Sequence, residues 1–147
     1  MTVFTIGFTG KDAARFFGLL EEHKVKTLLD IRLNNKSQLA GFTKMNDLEY
    51  FLQRISGIAY LHLPELAPSK EIRDSYRGHE LDWEGYEQAF DQLLQARKTD
   101  KFLKSFIPGV KGPFCLLCSE AEADKCHRRL VAQRIQKLYP KAEIIHL

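Results

Sequence analysis

The alternation of short β-rich runs with stretches of helical periodicity constrains this chain more than any other feature. Val3-Phe4-Thr5-Ile6 stops at Gly7, and Thr9 with Asp12 three residues on forms an N-cap pattern opening a helix to about His23. Thr27-Leu28-Leu29-Asp30-Ile31 is a mostly apolar run of the kind covered on both faces, and Asp30 and Arg32 bring charge to its exit. Asn46 and Glu49 frame a second helix start; Leu48, Phe51, Leu52 and Ile55 keep the i, i+3, i+4, i+7 spacing until Gly57 ends it. Ile58 to Leu63 reads as a third strand closed by Pro64, and Glu65 to Leu81 as a long polar loop of the kind that often covers a site. Trp83, Tyr86, Phe90, Leu93 and Leu94 share one helical face between Asp82 and about Lys98. Phe114 to Cys118 is a fourth strand, followed by a polar loop, a helix from Cys126 to Leu138 with Asp124 as its candidate cap, and a last short strand from Glu143 to His146. This order predicts one α/β domain over residues 1–147. Its sheet is mostly parallel and open, with about five strands, right-handed crossovers and helices on both faces, a Rossmann-like three-layer arrangement.

Composition narrows the function classes. A chain of 147 residues, 44% hydrophobic and 28% charged, suits a single folded unit and disfavours disorder, coiled coil and disulfide scaffold. No apolar run approaches the roughly 18 residues of a membrane span, and Met1 to Gly10 lacks a signal-peptide pattern, so a cytoplasmic protein with no membrane contact is expected. Lys and Arg are concentrated late: residues 97–147 hold 11 of them against 5 Asp and Glu. That excess suits a small anionic ligand or a nucleic acid, and equally a solvated surface. Three cysteines in a chain without an export signal favour free thiols, metal ligation or a reactive thiol over a structural bridge.

In an open parallel sheet ligands bind beyond the carboxyl ends of the strands. The residues expected there are Gly7, Asp30, Arg32, Cys118 and Glu120, with Cys126, His127 and Arg128 at the start of the following helix. A helix start favours an anion or a thiolate, and Arg128 adds a fork for phosphate or carboxylate. Acidic Glu120, Glu122 and Asp124 oppose a lowered Cys126 pKa. Cys115-x-x-Cys118 followed by Cys126-His127 offers four soft ligands, but residues three apart on a strand face opposite ways. No metal is therefore expected, and Cys115 is expected in the core. Asp30 and Arg32 suit either an ion pair or ligand contact, and His62 suits a core position. Gly7 is half a phosphate loop at best, since neither Gly-x-Gly-x-x-Gly nor a Walker sequence follows, and no cofactor is assigned.

Thr5-Ile6-Gly7, Leu29-Asp30-Ile31-Arg32, Gly41-Phe42-Thr43-Lys44, Pro64-Glu65-Leu66, Trp83-x-x-Tyr86 and above all Leu117-Cys118-x-Glu120-x5-Cys126-His127-Arg128 together resemble the bacterial and archaeal domain-of-unknown-function family 488. The resemblance implies a compact α/β domain and shared site positions at Cys118, Glu120, Cys126, His127, Arg128, Asp30 and Arg32. It names no reaction. The chain departs from the family pattern at Asn34-Asn35 and Ala67-Pro68.

The first functional expectation is an enzyme acting on a phosphate-containing ligand, a nucleotide or nucleic acid. Arg128 and Arg32 would hold the anion, Glu120 or His127 would serve as acid/base, and Cys126 would be the nucleophile or its pKa-tuned neighbour. The alternative is a non-catalytic nucleic-acid-binding or ligand-sensing module using the basic last third. In a third, structural reading, Cys118, Cys126 and Arg128 merely lock a helix onto the sheet. Protein partners are not legible in the sequence.

Overall fold

Five parallel strands form one sheet: β1 (Thr2–Gly7), β2 (Thr27–Asp30), β3 (Ala59–His62), β4 (Phe114–Cys118) and β5 (Glu143–His146), in the order β3-β2-β4-β1-β5. They are seen in a computed structural model that describes residues 1–36 and 41–147. β4 is buried along its whole length, as expected for an apolar run at the centre of a sheet covered on both faces.

The strand order explains the layers. From β1 the chain passes over β4 to β2 and then β3, before returning through β4 to β5. Right-handed crossovers in opposite directions put their helices on opposite faces. One layer holds α1 (Ala13–Glu22) and α2 (Met45–Phe51), packed through Phe16, Leu20, Leu48 and Leu52 onto Phe4, Ile6, Cys115 and Leu117. The other holds α4 (Trp83–Ala96), α5 (Thr99–Phe106) and α6 (His127–Leu138), packed through Phe90, Leu103, Val131 and Ile135 onto Val3, Leu116 and Cys118. α3 (Lys70–Arg77) lies between the two halves of the chain and buries no residue fully. Each large apolar side chain buried in these layers contributes about 1.5–3 kcal/mol, so among the described α-helices α3 is the one least anchored by the core.

Several local expectations are corrected. Asp12, not Thr9, caps α1, accepting from the Arg15 amide at 2.8 Å. α2 starts behind Lys44, and after Phe51 its turn widens into a π turn over Leu52–Ser56 before Gly57 closes it at φ 63°. The wider turn shifts the helical phase, which leaves Ile55 53% exposed instead of inward. The polar stretch after Pro64 is a short 3₁₀ turn followed by α3, capped by the Ser69 hydroxyl, which accepts from the Ile72 amide at 3.2 Å. Its only apolar residues are Ile72 and Tyr76, too sparse a stripe to register as periodic. Lys98 is followed by a further helix, α5. His62 lies half-buried on edge strand β3, outside the core, with its ring on the Arg32 carbonyl at 2.8 Å. α6 begins at His127 with Cys126 in the cap position, so Asp124 does not cap it. Among the described residues no helix is long and apolar enough to cross a membrane.

Candidate functional site

Neighbouring strands that send their helices to opposite faces leave a crevice at their carboxyl ends. β1 and β4 do so here, with Gly7 paired to Cys118. The two exits are tied by the Thr9 amide donating to the Ser119 carbonyl at 3.1 Å.

Arg128, in the first turn of α6, organises the crevice. It is 1% exposed, and its guanidinium donates to Thr5 Oγ1 at 3.2 Å, to the Ala121 carbonyl at 3.1 Å and to the Glu120 carbonyl. Its Nη1 also lies 3.6 Å from Cys118 Sγ and 3.8 Å from Cys126 Sγ. Arg128, expected to fork an anion, is thus engaged by the protein itself and holds the 119–125 loop closed. Gly7 makes this possible, because a Cβ there would overlap the Glu120 carbonyl and come within 2.6 Å of Arg128 Nη1. Gly7 is covered by that carbonyl and does not line the crevice.

Cys118 and Cys126 are 1% and 3% exposed and stand at the crevice wall with their sulfurs facing each other and their Cα atoms 7.9 Å apart. The expectation of separate thiols is corrected to a facing pair, because the β4 exit and the α6 start converge in space across the 119–125 loop. Cys115 lies on the other face of β4, in the α1 layer, where burial pushes its thiol pKa up. The opposite orientation of Cys115 and Cys118 is as the strand period requires.

His127 opens α6 and donates from Nε2 to the Ile31 carbonyl at 2.8 Å, since a carbonyl only accepts. Its Nδ1 keeps the lone pair. Phe90 packs edge-on against the ring, and burial pushes the imidazole pKa down to about 4, so it is neutral at pH 7. A ring nitrogen of His127 and the two sulfurs lie within 4.8 Å of one another, the one group of three such donors among the described residues. Only thiolates would hold a metal there, and a cation would sit beside the Arg128 guanidinium that already touches both sulfurs.

Asp30 and Arg32 form the ion pair, with Nε to Oδ1 and Nη2 to Oδ2 both at 2.8 Å. Asp30 is wholly buried and also accepts from Tyr60 Oη at 2.6 Å, while Arg32 Nη2 reaches the Thr43 carbonyl at 2.6 Å. Burial and this bond push the Tyr60 pKa up, so the phenol stays protonated and donates. Asp30 therefore positions Arg32, and Arg32 alone of the two lines the crevice.

The open part of the crevice is a cavity of about 170 Å³. Cys118, Glu120, Cys126, His127 and Arg32 contribute to its wall, while Arg128, Asp30 and Gly7 stand behind it. Sequence reasoning missed Arg73 and Arg77 from α3 and Lys125 from the loop, which join the aromatic wall of Tyr76, Trp83 and Tyr86. The signal that could have found α3 was its punctuation: Ser69 after Pro68 and Gly78 at the far end. Arg73 Nε is buried without a hydrogen-bond partner, the nearest carboxylate being Asp74 at 3.9 Å. Trp83 is stacked by Tyr86 at 4.9 Å, has the Arg129 guanidinium 5.7 Å from its ring and meets Tyr76 edge-on at 5.7 Å, so it buttresses α3. A larger hollow of about 270 Å³ between α4 and α6 holds Arg134 already bonded to Asp91, and carries none of this chemistry.

No curated protein and no solved structure matches the chain. A family model, the domain of unknown function DUF488, matches residues 12–135, a span that takes in the Asp30–Arg32 pair, α3 and the Cys118 to Arg128 segment. The chain belongs to the DUF488 family.

Proposed function

We propose that the protein is an enzyme acting on a small phosphate-containing ligand, such as a nucleotide, with its chemistry at the Cys126 thiol. The observation that carries this reading is Arg73: a buried guanidinium nitrogen without a partner, on the wall of a cavity that also presents Arg77 and Lys125 against one acid, Glu120. A buried donor left unpaired costs about 1–3 kcal/mol, and an anion oxygen removes that cost. Arg32 adds positive charge already balanced by Asp30. Cys126, at the positive end of α6 and beside Arg128, is favoured as the thiolate once reduced. Glu120 on the cavity wall serves as the acid/base group. His127, neutral and with a free lone pair, accepts a proton or a hydrogen bond and is a poor acid at pH 7.

Cavity size weighs against the nucleic-acid-binding alternative, since about 170 Å³ takes a terminal phosphate or a small anion rather than the length of a strand. Part of the late basic excess is also neutralised internally: Arg134 pairs with Asp91 and Asp100, and Arg129 with Glu87.

The test is calorimetric titration of the reduced protein with inorganic phosphate and with a nucleoside monophosphate. Saturable binding that weakens at least tenfold in Arg73→Gln is expected. Absence of binding by either probe at 10 mM (about 100 times a 0.1 mM Kd, where linkage stabilisation would reach about 2.7 kcal/mol) overturns the reading.

A further inference from the structure

We propose that Cys118 and Cys126 are a site of reversible oxidation, closed into a disulfide by exchange with a low-molecular-weight disulfide of the glutathione class. The two sulfurs face each other at the cavity wall, closure draws their Cα atoms in from 7.9 Å to about 6.8 Å or less, and no other sulfur can compete, because Cys115 faces the opposite layer. Arg128 Nη1 lies 3.6 and 3.8 Å from them, which stabilises whichever sulfur carries the negative charge during exchange. Arg73, Arg77 and Lys125 at the same opening attract the carboxylates of a glutathione-like molecule, and the cavity admits its cysteinyl arm.

The exchange balances without a further reagent. The Cys126 thiolate attacks one sulfur of the small disulfide, whose S–S bond breaks; one small thiolate leaves and takes up a proton. Cys118, losing its proton to solvent, then attacks Cys126 Sγ in the mixed disulfide. The Cys118–Cys126 bond forms as the second small thiol departs. The protein is oxidised by two electrons and the small disulfide is reduced to two thiols. Excess small thiol reverses both steps. Closure removes the thiolate that the proposed function assigns to Cys126, so the consequence for activity rests on that reading, whereas the bond itself does not.

The experiment uses the full chain, first reduced and treated with a chelator, then equilibrated in glutathione buffers of graded redox ratio. Remaining thiols are trapped with a maleimide and mapped by mass spectrometry. Two thiols should disappear together, with a Cys118–Cys126 cross-link and no lasting glutathione adduct, and excess reduced glutathione should restore both. Cys115 should react only after denaturation. In Cys118→Ser the resolving thiol is gone, so one glutathione should remain on Cys126; Cys126→Ser should hold no cross-link. Retention of both thiols in oxidised glutathione, a persistent adduct on the unaltered chain, or one thiophilic divalent cation per chain bound to the pair before chelation would each overturn the proposal. Phosphate titration of the reduced protein is independent of these readings. A cross-link without phosphate binding therefore refutes only the proposed function, and phosphate binding without a cross-link refutes only the redox site.

Discussion

Gly7→Ala tests whether the crevice is built around the contact between two strand exits. The added methyl overlaps the Glu120 carbonyl and meets Arg128 Nη1 at 2.6 Å. Neither atom can yield cheaply, because the carbonyl accepts from that same guanidinium and Arg128 is 1% exposed. Overpacking of a tight site costs about 1–3 kcal/mol. Displacing Arg128 from the Glu120 and Ala121 carbonyls leaves buried donors unpaired, at about 1–3 kcal/mol more. The expected loss is therefore about 2–6 kcal/mol, or some 4–24 °C in Tm at roughly 2–4 °C per kcal/mol. Urea unfolding in reducing buffer measures it, with the m value unchanged if only stability has altered. Gly18→Ala is the matched control, since a methyl there meets nothing within 4 Å and a helical glycine replaced by alanine gains up to about 1 kcal/mol. A loss below about 0.5 kcal/mol for Gly7→Ala would refute the seating of the 119–125 loop on β1.

Asp30→Asn leaves the buried Arg32 guanidinium without its counter-charge and should destabilise by about 3–5 kcal/mol, read from the urea midpoint; a neutral result would show that Arg32 reaches solvent. His127 has its folded pKa near 4 against 6.5 unfolded, so the unfolded chain binds more protons between those values. Its contribution is complete above about pH 6.5 and fades as pH falls toward 4, by at most about 3 kcal/mol for this half-buried ring. Comparing unfolding at pH 7 and pH 4.5 with a His127→Asn variant isolates it, and equal pH slopes in both proteins would contradict the assignment.

The framework was legible because burial on both faces writes itself into composition. Phe114 to Cys118 reads as a strand from its unbroken apolar character, and it is one, residue for residue. The convergence of Cys118, Glu120, Cys126 and His127 followed from the parallel order alone. Their individual tasks did not, since whether Arg128 faces a ligand or the Glu120 carbonyl depends on a close approach between residues more than a hundred positions apart in sequence. α3 escaped for a related reason: a helix resting on an aromatic shelf, with Tyr76 5.7 Å from Trp83 and 5.1 Å from Tyr86, needs little of the apolar repeat that betrays a helix. Ile55 misled in the opposite sense, its spacing correct for an α-helix that widens before reaching it.

A helix that places no side chain fully in the interior can be altered with little penalty to the rest of the fold. Residues 70–77 behave in this respect as an exchangeable cassette. Under the proposed function, replacing Arg73 and Arg77 by acids or amides redirects ligand preference while the thiol pair, the Asp30–Arg32 bond and both apolar layers stay as they are. Diversification of what such a chain accepts would then proceed through this one short segment, decoupled from the machinery beneath it.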